Sequence, residues 1–368
     1  MGMQELVDLS HRYGCDEAYV LAGGGNTSCK ENGVLYIKGS GVQLADIRAE
    51  QFVALDFGRL REAARQQGSE DTDDEQGETQ ALTDMMAARL PGEEDKRPSV
   101  ETLLHAMFPN RYVMHVHPAL VNGMTCGKNG EAACRRLFGG SAVWVERTRP
   151  GPMLLRACQK ALSKCTDTEG VAPQIVFLQN HGIIVAGDTT PEIDENLGRV
   201  VSRLTRYVSN HPDLTDVSWD KNPVGSLSHT LERLFDRAGA AVALFCANSM
   251  VLEYVSRPEL FRELGKPFTP DHTAYCGGTP LFLEADADPS VAFFDYLDKK
   301  GHAPKVVAVR GIGFFALGES RKAADNTRLL FLDAMKICVY ARAFGGAQPL
   351  PDAFVEALLH GAAYQYRL

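Results

Sequence analysis

Several features that would assign other protein classes are missing from this sequence of 368 residues. Its nine cysteines are odd in number, scattered, and include no CxxC pair, so neither a disulfide framework nor a zinc ribbon is indicated. No apolar run reaches about 18 residues, and charged residues interrupt the N-terminal stretch, so neither a membrane span nor a signal peptide is expected. A net charge of −9 argues against a nucleic-acid-binding face. What remains is the composition of a reduced, cytoplasmic globular protein.

Helical and strand patterns are mixed along the chain, with adjacent hairpins. Residues 3–13 read as an amphipathic helix, and residues 18–42 as strands separated by glycine-rich turns. This mixture predicts an α/β domain whose sheet is largely antiparallel, rather than a nucleotide-binding fold built from regular βαβ units. The acidic run at 66–79 predicts a solvated loop, and the Pro, Gly and Asp density at 211–226 predicts a linker. The expected domains are 1–215, catalytic, and 226–368, a smaller α/β region.

The C-terminal region contains a possible degenerate repeat. KVVAVRGIGFFALG, at 305–318, resembles QIVFLQNHGIIVAG, at 174–187, and both precede a polar loop and a long helical pattern. In this alignment Gly182 falls on Gly313 and His181 falls on Ile312. Either the second copy has lost an imidazole, or two strand–helix units have converged on a similar pattern.

Three histidines form the clearest candidate for chemistry. His115 and His117 are two apart in a predicted strand, so both imidazoles face the same way. His181, at a strand-to-turn junction, is a candidate third metal ligand. Glu101, in the predicted first turn of the preceding helix, is a candidate general base, with His105 one turn further on. The plainer alternatives are core or surface histidines, and an acid that only complements a helix dipole.

Two glycine-containing loops have the composition of an anion site. Residues 23–28 read GGGNTS and residues 39–41 read GSG, and the first matches neither nucleotide-binding glycine motif. Backbone N–H groups in such turns, together with a helix starting at an N-cap Ser99, suit a phosphate. Lys30 and Lys38 would add positive charge.

Read together, GGGNTS, GSG, SVETLLH at 99–105, HVHP at 115–118 and NHG at 180–182 resemble the class II aldolase/adducin family. The resemblance covers about residues 3–210. The longer pattern, with RPG at 149–151 and TPDH at 269–272, is most similar to the aldolase portion of bifunctional rhamnulose-phosphate aldolase/alcohol dehydrogenase proteins. No counterpart of their dehydrogenase half is expected in these residues.

The resemblance implies a three-layer α/β/α fold, a homotetramer and a Zn²⁺ ion or another divalent metal. It places the metal ligands on His115, His117 and His181, and the acid–base carboxylate on Glu101. A tyrosine that protonates the aldehyde oxygen in the family is not assigned here. Implied phosphate-binding positions are Asn26, Ser40, Gly41 and Ser99, with Thr27, Lys30 and Lys38 as weaker candidates; Val100 stands where the family often has a second serine.

The implied activity is cleavage of a ketose 1-phosphate, such as a deoxy sugar phosphate, to dihydroxyacetone phosphate and an aldehyde by a metal-stabilised enediolate. Related epimerases usually have Asp at the position of Glu101, which favours carbon–carbon cleavage. Two alternatives stay open: a decarboxylase or dehydratase of a sugar-acid phosphate, and a non-catalytic adducin-like assembly module. The expected partner is a small sugar phosphate rather than a nucleic acid or a membrane.

Overall fold

The computed structural model describes residues 2–69, 74–170, 172–236 and 241–361. The chain divides into two compact units, each described by itself below. Within the described parts of the chain, no helix combines the length and apolarity that crossing a bilayer requires. Unit 1 comprises Met1–Thr125, Asn129–Tyr207 and Pro351–Leu368, and unit 2 comprises Cys126–Lys128 and Val208–Leu350.

The described part of unit 1 contains a seven-stranded sheet in the order β3-β2-β1-β4-β7-β6-β5. All neighbouring strands are antiparallel except β5 and β6, which confirms the predicted, largely antiparallel sheet. The strands are β1 (Asn26–Glu31), β2 (Val34–Lys38), β3 (Phe52–Asp56), β4 (Tyr112–Val116), β5 (Val143–Val145), β6 (Ile175–Leu178) and β7 (Gly182–Gly187).

Helices cover both faces of this sheet, which makes the predicted three layers. On one face α2, α3, α4 and α7 share a core with the sheet residues Leu35, Val113 and Ile184. On the other face α1 and α8 pack on β1, β4 and β7. The helices of unit 1 are α1 (Gly2–Gly14), α2 (Phe57–Ser69), α3 (Asp74–Ala87), α4 (Thr102–Ala106), α5 (Ala119–Thr125), α6 (Gly130–Phe138), α7 (Pro152–Glu169) and α8 (Thr190–Tyr207), together with the later α15 (Asp352–His360).

Three local predictions are wrong. Residues 18–21 lie in turns and irregular backbone, and the first strand begins at Asn26. In the acidic run at 66–79, the first residues end α2 and residues 74–79 belong to α3; residues 70–73 lie outside the described chain. Ser99 is not the N-cap of a helix: its N–H donates to the carbonyl of Lys38, which holds the segment against β2, and its hydroxyl accepts from the N–H of Glu101. The N-cap of α4 is Glu101 instead.

Unit 2 contains, in its described residues, a four-stranded sheet in the order β8-β11-β10-β9. Helices α9 and α13 cover one face, sharing a core with Leu283, Val307 and Phe315. Helix α14 packs on β8 and β11, and its Asp333 Oδ2 lies 3.1 Å from Nε2 of the buried His272 in α12. The elements are α9 (Lys221–Phe235), β8 (Val242–Cys246), α10 (Ser249–Ser256), α11 (Pro258–Phe261), α12 (Pro270–Cys276), β9 (Leu281–Leu283), α13 (Pro289–Lys300), β10 (Val306–Val309), β11 (Gly313–Gly318) and α14 (Arg321–Ala341).

The sheet of unit 2 repeats one half of the sheet of unit 1. The order β4-β7-β6-β5 matches β8-β11-β10-β9, and in both series only the last pair of strands is parallel. The predicted alignment of Gly182 with Gly313 coincides with the starts of β7 and β11. The strand registers agree as well: His115 pairs with Ile184, the residue two beyond Gly182, and Phe245 pairs with Phe315, the residue two beyond Gly313. The four strands of unit 2 therefore repeat the order, direction and register of the last four strands of unit 1.

A buried lysine near the end of β1 should give unit 1 a pH-dependent stability. Lys30 donates from Nζ to the carbonyl of Asn110 at 2.8 Å and lies over the ring of Phe57. Burial lowers the pKa of Lys30 from 10.5 to about 7. The folded protein then binds fewer protons than the unfolded chain between these two values, so its unfolding free energy should rise with pH across that window.

We expect Lys30→Met to remove that dependence. Because the variant has no charge to bury, the rise in unfolding free energy between about pH 7 and pH 10, on the order of a few kcal/mol, should flatten. Urea unfolding measured at several pH values checks this. Lys96→Met, which removes a lysine paired with Glu93 instead, is the control and should keep the wild-type slope. An unchanged slope in Lys30→Met would contradict the assignment.

Candidate active site

Three imidazoles converge at the junction of β4 and β7. The Nε2 atom of His115 lies 2.8 Å from Nε2 of His117 and 3.4 Å from Nε2 of His181. His115 lies within β4, His117 follows directly after its end, and His181 immediately precedes β7. All three ligand atoms lie within 4.8 Å of one another, so the cluster could hold a metal ion.

The donor set fits a divalent metal. Nδ1 of His115 lies 2.9 Å from the carbonyl of Ile183, which only accepts, so that ring nitrogen carries the proton. In a neutral ring the lone pair is then on Nε2, the atom that faces the other two histidines. Ligands about 2.0–2.1 Å from a tetrahedral ion lie about 3.3 Å apart, close to the observed separation of His115 and His181.

A buried carboxylate lies against this cluster. Oε1 of Glu101 is 3.5 Å from Nε2 of both His115 and His181. The other oxygen, Oε2, accepts a hydrogen bond from Nδ2 of Asn26 at 2.6 Å. Glu101 is 3% exposed. Because it caps α4, its backbone is fixed at the helix start, and Asn26 fixes the orientation of its carboxylate.

His105 lies behind this carboxylate rather than in the histidine cluster. Its Nδ1 is 2.8 Å from the hydroxyl of Ser28, and the ring is completely buried. Burial lowers the pKa of His105 to about 3, with a smaller opposing contribution from Glu101. A neutral imidazole therefore supports α4 against β1.

The four main candidates for phosphate binding, Asn26, Ser99, Ser40 and Gly41, lie in neighbouring segments. Asn26 and Ser99 lie together, since Nδ2 of Asn26 donates to the Ser99 hydroxyl at 3.2 Å. The turn with Ser40 and Gly41 adjoins the same segment, because the Ser40 N–H donates to the carbonyl of Arg97 at 2.7 Å and Ser99 N–H donates to Lys38. Gly41 has a φ of 79°, which favours glycine there.

The three weaker candidates have other contacts. The Thr27 hydroxyl is 2.6 Å from that of Ser10, on the face of β1 that α1 covers. Lys30 lies at the opposite end of β1 from Asn26, with its ammonium against Asn110 as described above. Nζ of Lys38 donates to the carbonyls of Val42 at 2.7 Å and Gly23 at 3.4 Å, so it connects the two glycine loops.

Two asparagines position His181: Asn180, from the NHG motif, and Asn122, which the sequence did not single out. Asn180 has a φ of 57°, and its N–H donates to the carbonyl of Thr125. Nδ2 of Asn122, on α5, donates to the carbonyl of His181 at 3.4 Å. The available signal was a polar side chain inside the otherwise small and apolar segment ALVNGMT. Because the backbone of Asn180 is left-handed, the side chain of the next residue, His181, turns towards the cluster.

Gly182 allows the histidines to approach. A Cβ at this position would lie 2.6 Å from Cδ2 of His117 and 2.6 Å from the carbonyl of Val116.

We expect Gly182→Ala to displace His117 and to weaken zinc binding about 10- to 100-fold, the range for changes beside metal ligands. Zinc titration with a competing chelator measures this. Gly198→Ala, where nothing lies within 4 Å of the added Cβ, is the matched control and should keep wild-type affinity; equal affinities would contradict the prediction.

The fold and site define an α/β protein with a three-histidine metal-binding cluster and an adjoining carboxylate. The family model for the Class II Aldolase and Adducin N-terminal domain matches residues 4–197, more than half of the chain. The chain belongs to this family. That match includes every residue of the cluster described above.

The chain is also similar to individual proteins. The chain is 24% identical over 391 residues to a Bacillus subtilis (strain 168) protein named as the uncharacterized oxidoreductase YuxG; the match covers 94% of this chain and 55% of that protein. The chain thus spans about half the length of this curated relative. The N-terminal class II aldolase domain of a conserved Thermoplasma acidophilum protein is 26% identical, with 56% of this chain and 92% of that chain covered and a TM-score of 0.46. For L-fuculose-1-phosphate aldolase from Thermus thermophilus the values are 15%, 55%, 92% and 0.36.

Proposed function

We propose that this protein is a metal-dependent aldolase that cleaves a ketose 1-phosphate to dihydroxyacetone phosphate and an aldehyde. The observation that carries the proposal is the carboxylate of Glu101, held by Asn26 with one oxygen 3.5 Å from two imidazoles of the cluster. Family membership supports a lyase of this class. An adducin-like module without catalysis would need neither the three imidazoles nor an oriented buried carboxylate.

The proposed metal ligands are the three histidines of the cluster. His115, His117 and His181 would hold the ion, which we propose to be Zn²⁺ or another divalent metal. Such an ion supplies Lewis acidity: it polarises the oxygens of a hydroxyketone and stabilises negative charge that develops on them. Asn122 and Asn180 keep His181 in position, and Ile183 keeps the ring of His115 oriented.

Glu101 would move the proton. To yield a three-carbon ketose phosphate, the bond between C3 and C4 must break, and its electron pair stays with the C3 fragment. C3 then gains a proton from the Glu101 carboxyl group, while the C4 hydroxyl releases its proton to solvent as the aldehyde forms. Glu101 regains a proton from solvent, so the net change is the movement of one proton from the C4 oxygen to C3. A carboxyl group buried beside the ion can donate to C3 in cleavage and remove the same proton in condensation. Asn26 fixes the oxygen of Glu101 that does not face the histidines, so the oxygen beside the imidazoles is the one placed to act.

Phosphate recognition would use the loops next to Glu101. We assign it to Asn26, Ser99 and the Ser40–Gly41 turn, whose amide and hydroxyl groups suit an anion. Thr27 and Lys30 are engaged in other contacts, and Lys38 acts by joining the two glycine loops.

The wider setting is proposed on the family resemblance. We assign catalysis to residues 1–215 and treat 226–368 as a separate α/β region, in a cytoplasmic homotetramer of carbohydrate metabolism. The curated relative extends well beyond the matched region and is named an oxidoreductase. That supports the resemblance to the aldolase portion of a bifunctional protein.

A substrate panel tests the activity. Dihydroxyacetone phosphate release should be measured from several ketose 1-phosphates, including rhamnulose and fuculose 1-phosphates, with protein that is zinc-loaded or chelator-stripped. We expect release with at least one sugar, its loss on stripping and its return with zinc. Release of carbon dioxide or loss of water from acidic sugar phosphates, without any dihydroxyacetone phosphate, would replace the aldolase proposal with a decarboxylase or dehydratase. Activity that survives stripping would remove the metal from the proposal.

A further inference from the structure

Unit 2 has a cavity lined in part by Ile312, the residue that takes the place of His181 in the repeated fold. By the shared register, Phe245 takes the place of His115, and Ile312, one residue before β11, takes the place of His181. Ala247, after β8, takes the place of His117. None of these three residues can ligate a metal, so this position has lost the chemistry of the cluster while keeping its scaffold.

The cavity has a volume of about 380 Å³. Ile312 and Phe315 line it from the sheet, Val224 and Leu227 line it from α9, and Trp219 lies at 45% exposure beside them. Sites for small molecules measure about 300–1,000 Å³ and are mostly apolar with a few polar groups. The volume and lining are therefore those of a small-molecule site rather than of a flat docking surface.

The charged groups that line the cavity are acidic. Asp220 and Glu284 contribute carboxylates, and the described lining residues include no lysine or arginine. Glu284 is paired with Arg310 at 2.9 Å, and Asp220 caps α9 by accepting from the Asn222 N–H. Asp220 is the N-cap residue of α9, the helix before β8, and Glu101 is the N-cap residue of α4, the helix before β4. An anionic sugar phosphate would meet carboxylates and apolar side chains among these lining residues.

We propose that this cavity binds a small apolar amine, with its hydrocarbon or aromatic part against Ile312 and Phe315 and its ammonium group near Asp220. Trp219 at the mouth adds an aromatic face, which attracts cations. This site is independent of the metal cluster and of the reaction proposed for unit 1.

Trp219 provides the test, because the sequence has only one other tryptophan, Trp144 in β5 of unit 1. In the full-length Trp144→Phe protein, tryptophan emission reports Trp219 alone. We expect 2-phenylethylamine to change this emission with a Kd at or below about 1 mM, and phenylacetate to bind at least about tenfold more weakly. The neutral 2-phenylethanol should fall between them.

Two further variants locate the site. Ile312→Phe should fill the cavity and weaken amine binding at least about tenfold, whereas Val291→Phe, on an exposed part of α13, should leave it unchanged. Asp220→Asn keeps a capping oxygen and should weaken the amine about threefold without affecting the alcohol. No emission change up to about 10 mM amine would overturn the proposal. So would unchanged binding in Ile312→Phe, tighter binding of phenylacetate, or emission that depends on protein concentration instead of the amine, which would indicate a second copy over the cavity.

Discussion

Glu101→Gln should lower kcat for aldol cleavage by about 10²- to 10⁴-fold, the usual contribution of a positioned general acid or base. The amide keeps the size of the side chain and can still face Asn26, but it cannot exchange a proton at the reacting carbon. Since the three imidazoles are untouched, zinc content should stay at the wild-type level. Steady-state kinetics and metal analysis on the same preparation measure both quantities.

A second buried glutamate offers the matched control for this variant. Glu78, on α3, is 5% exposed and lines the same small cavity as Glu101, so it shares the burial of Glu101 and its neighbourhood. Glu78→Gln should change kcat less than about threefold, the scale of a substitution that leaves the proton carrier in place. If Glu101→Gln kept turnover within the same range, proton transfer would have to be assigned to another group.

His117→Ala should cost more in metal affinity than any change outside the cluster. Substitutions of groups that only support metal ligands cost about 10- to 100-fold, so losing a ligand should weaken zinc binding by at least about 100-fold. His117 follows the end of β4 and is only partly buried, so its removal should leave the sheet intact. Zinc stoichiometry after dialysis and the zinc-induced shift in Tm measure the loss, because an ion that binds the native state raises its stability.

His272→Asn distinguishes this effect from the general loss of a buried histidine. His272 is 2% exposed and is hydrogen-bonded to Asp333 within unit 2. We expect this variant to have a lower Tm because that pair is broken, yet to bind one equivalent of zinc as tightly as the wild type. Equal zinc affinities for His117→Ala and the wild type would remove His117 from the ligand set.

The sequence predicted those parts of the site that depend on strand periodicity. A strand through RYVMHVH places the imidazoles of His115 and His117 on one side, and the structure brings their Nε2 atoms within 2.8 Å. The hairpin from Asn26 to Lys38 lies within the residues predicted as strands, 18–42, and α8 is the long helix predicted after the segment 174–187. Local pattern was sufficient in these segments.

Contacts between distant segments decided the rest. Ser99 is a good N-cap by type, but its hydroxyl accepts from the N–H of Glu101, two residues on, and the helix begins after Glu101. Thr27 and Asn26 are adjacent, yet the strand turns Thr27 to Ser10 and Asn26 to Glu101. Which face of a strand meets which helix is a property of tertiary packing, and one sequence does not determine it.

The four strands of unit 2 have the same order as four strands of unit 1, but the residues at the positions of the histidines cannot bind a metal ion. Folding of this architecture therefore does not depend on an ion. With Phe245 and Ile312 at the equivalent positions, the same strand order closes around an apolar core that needs no ligand. Zinc fingers are the opposite case, since their chains unfold without the metal. The apoprotein should therefore persist as a folded species, so that loss of the metal would not by itself expose the chain to aggregation or proteolysis.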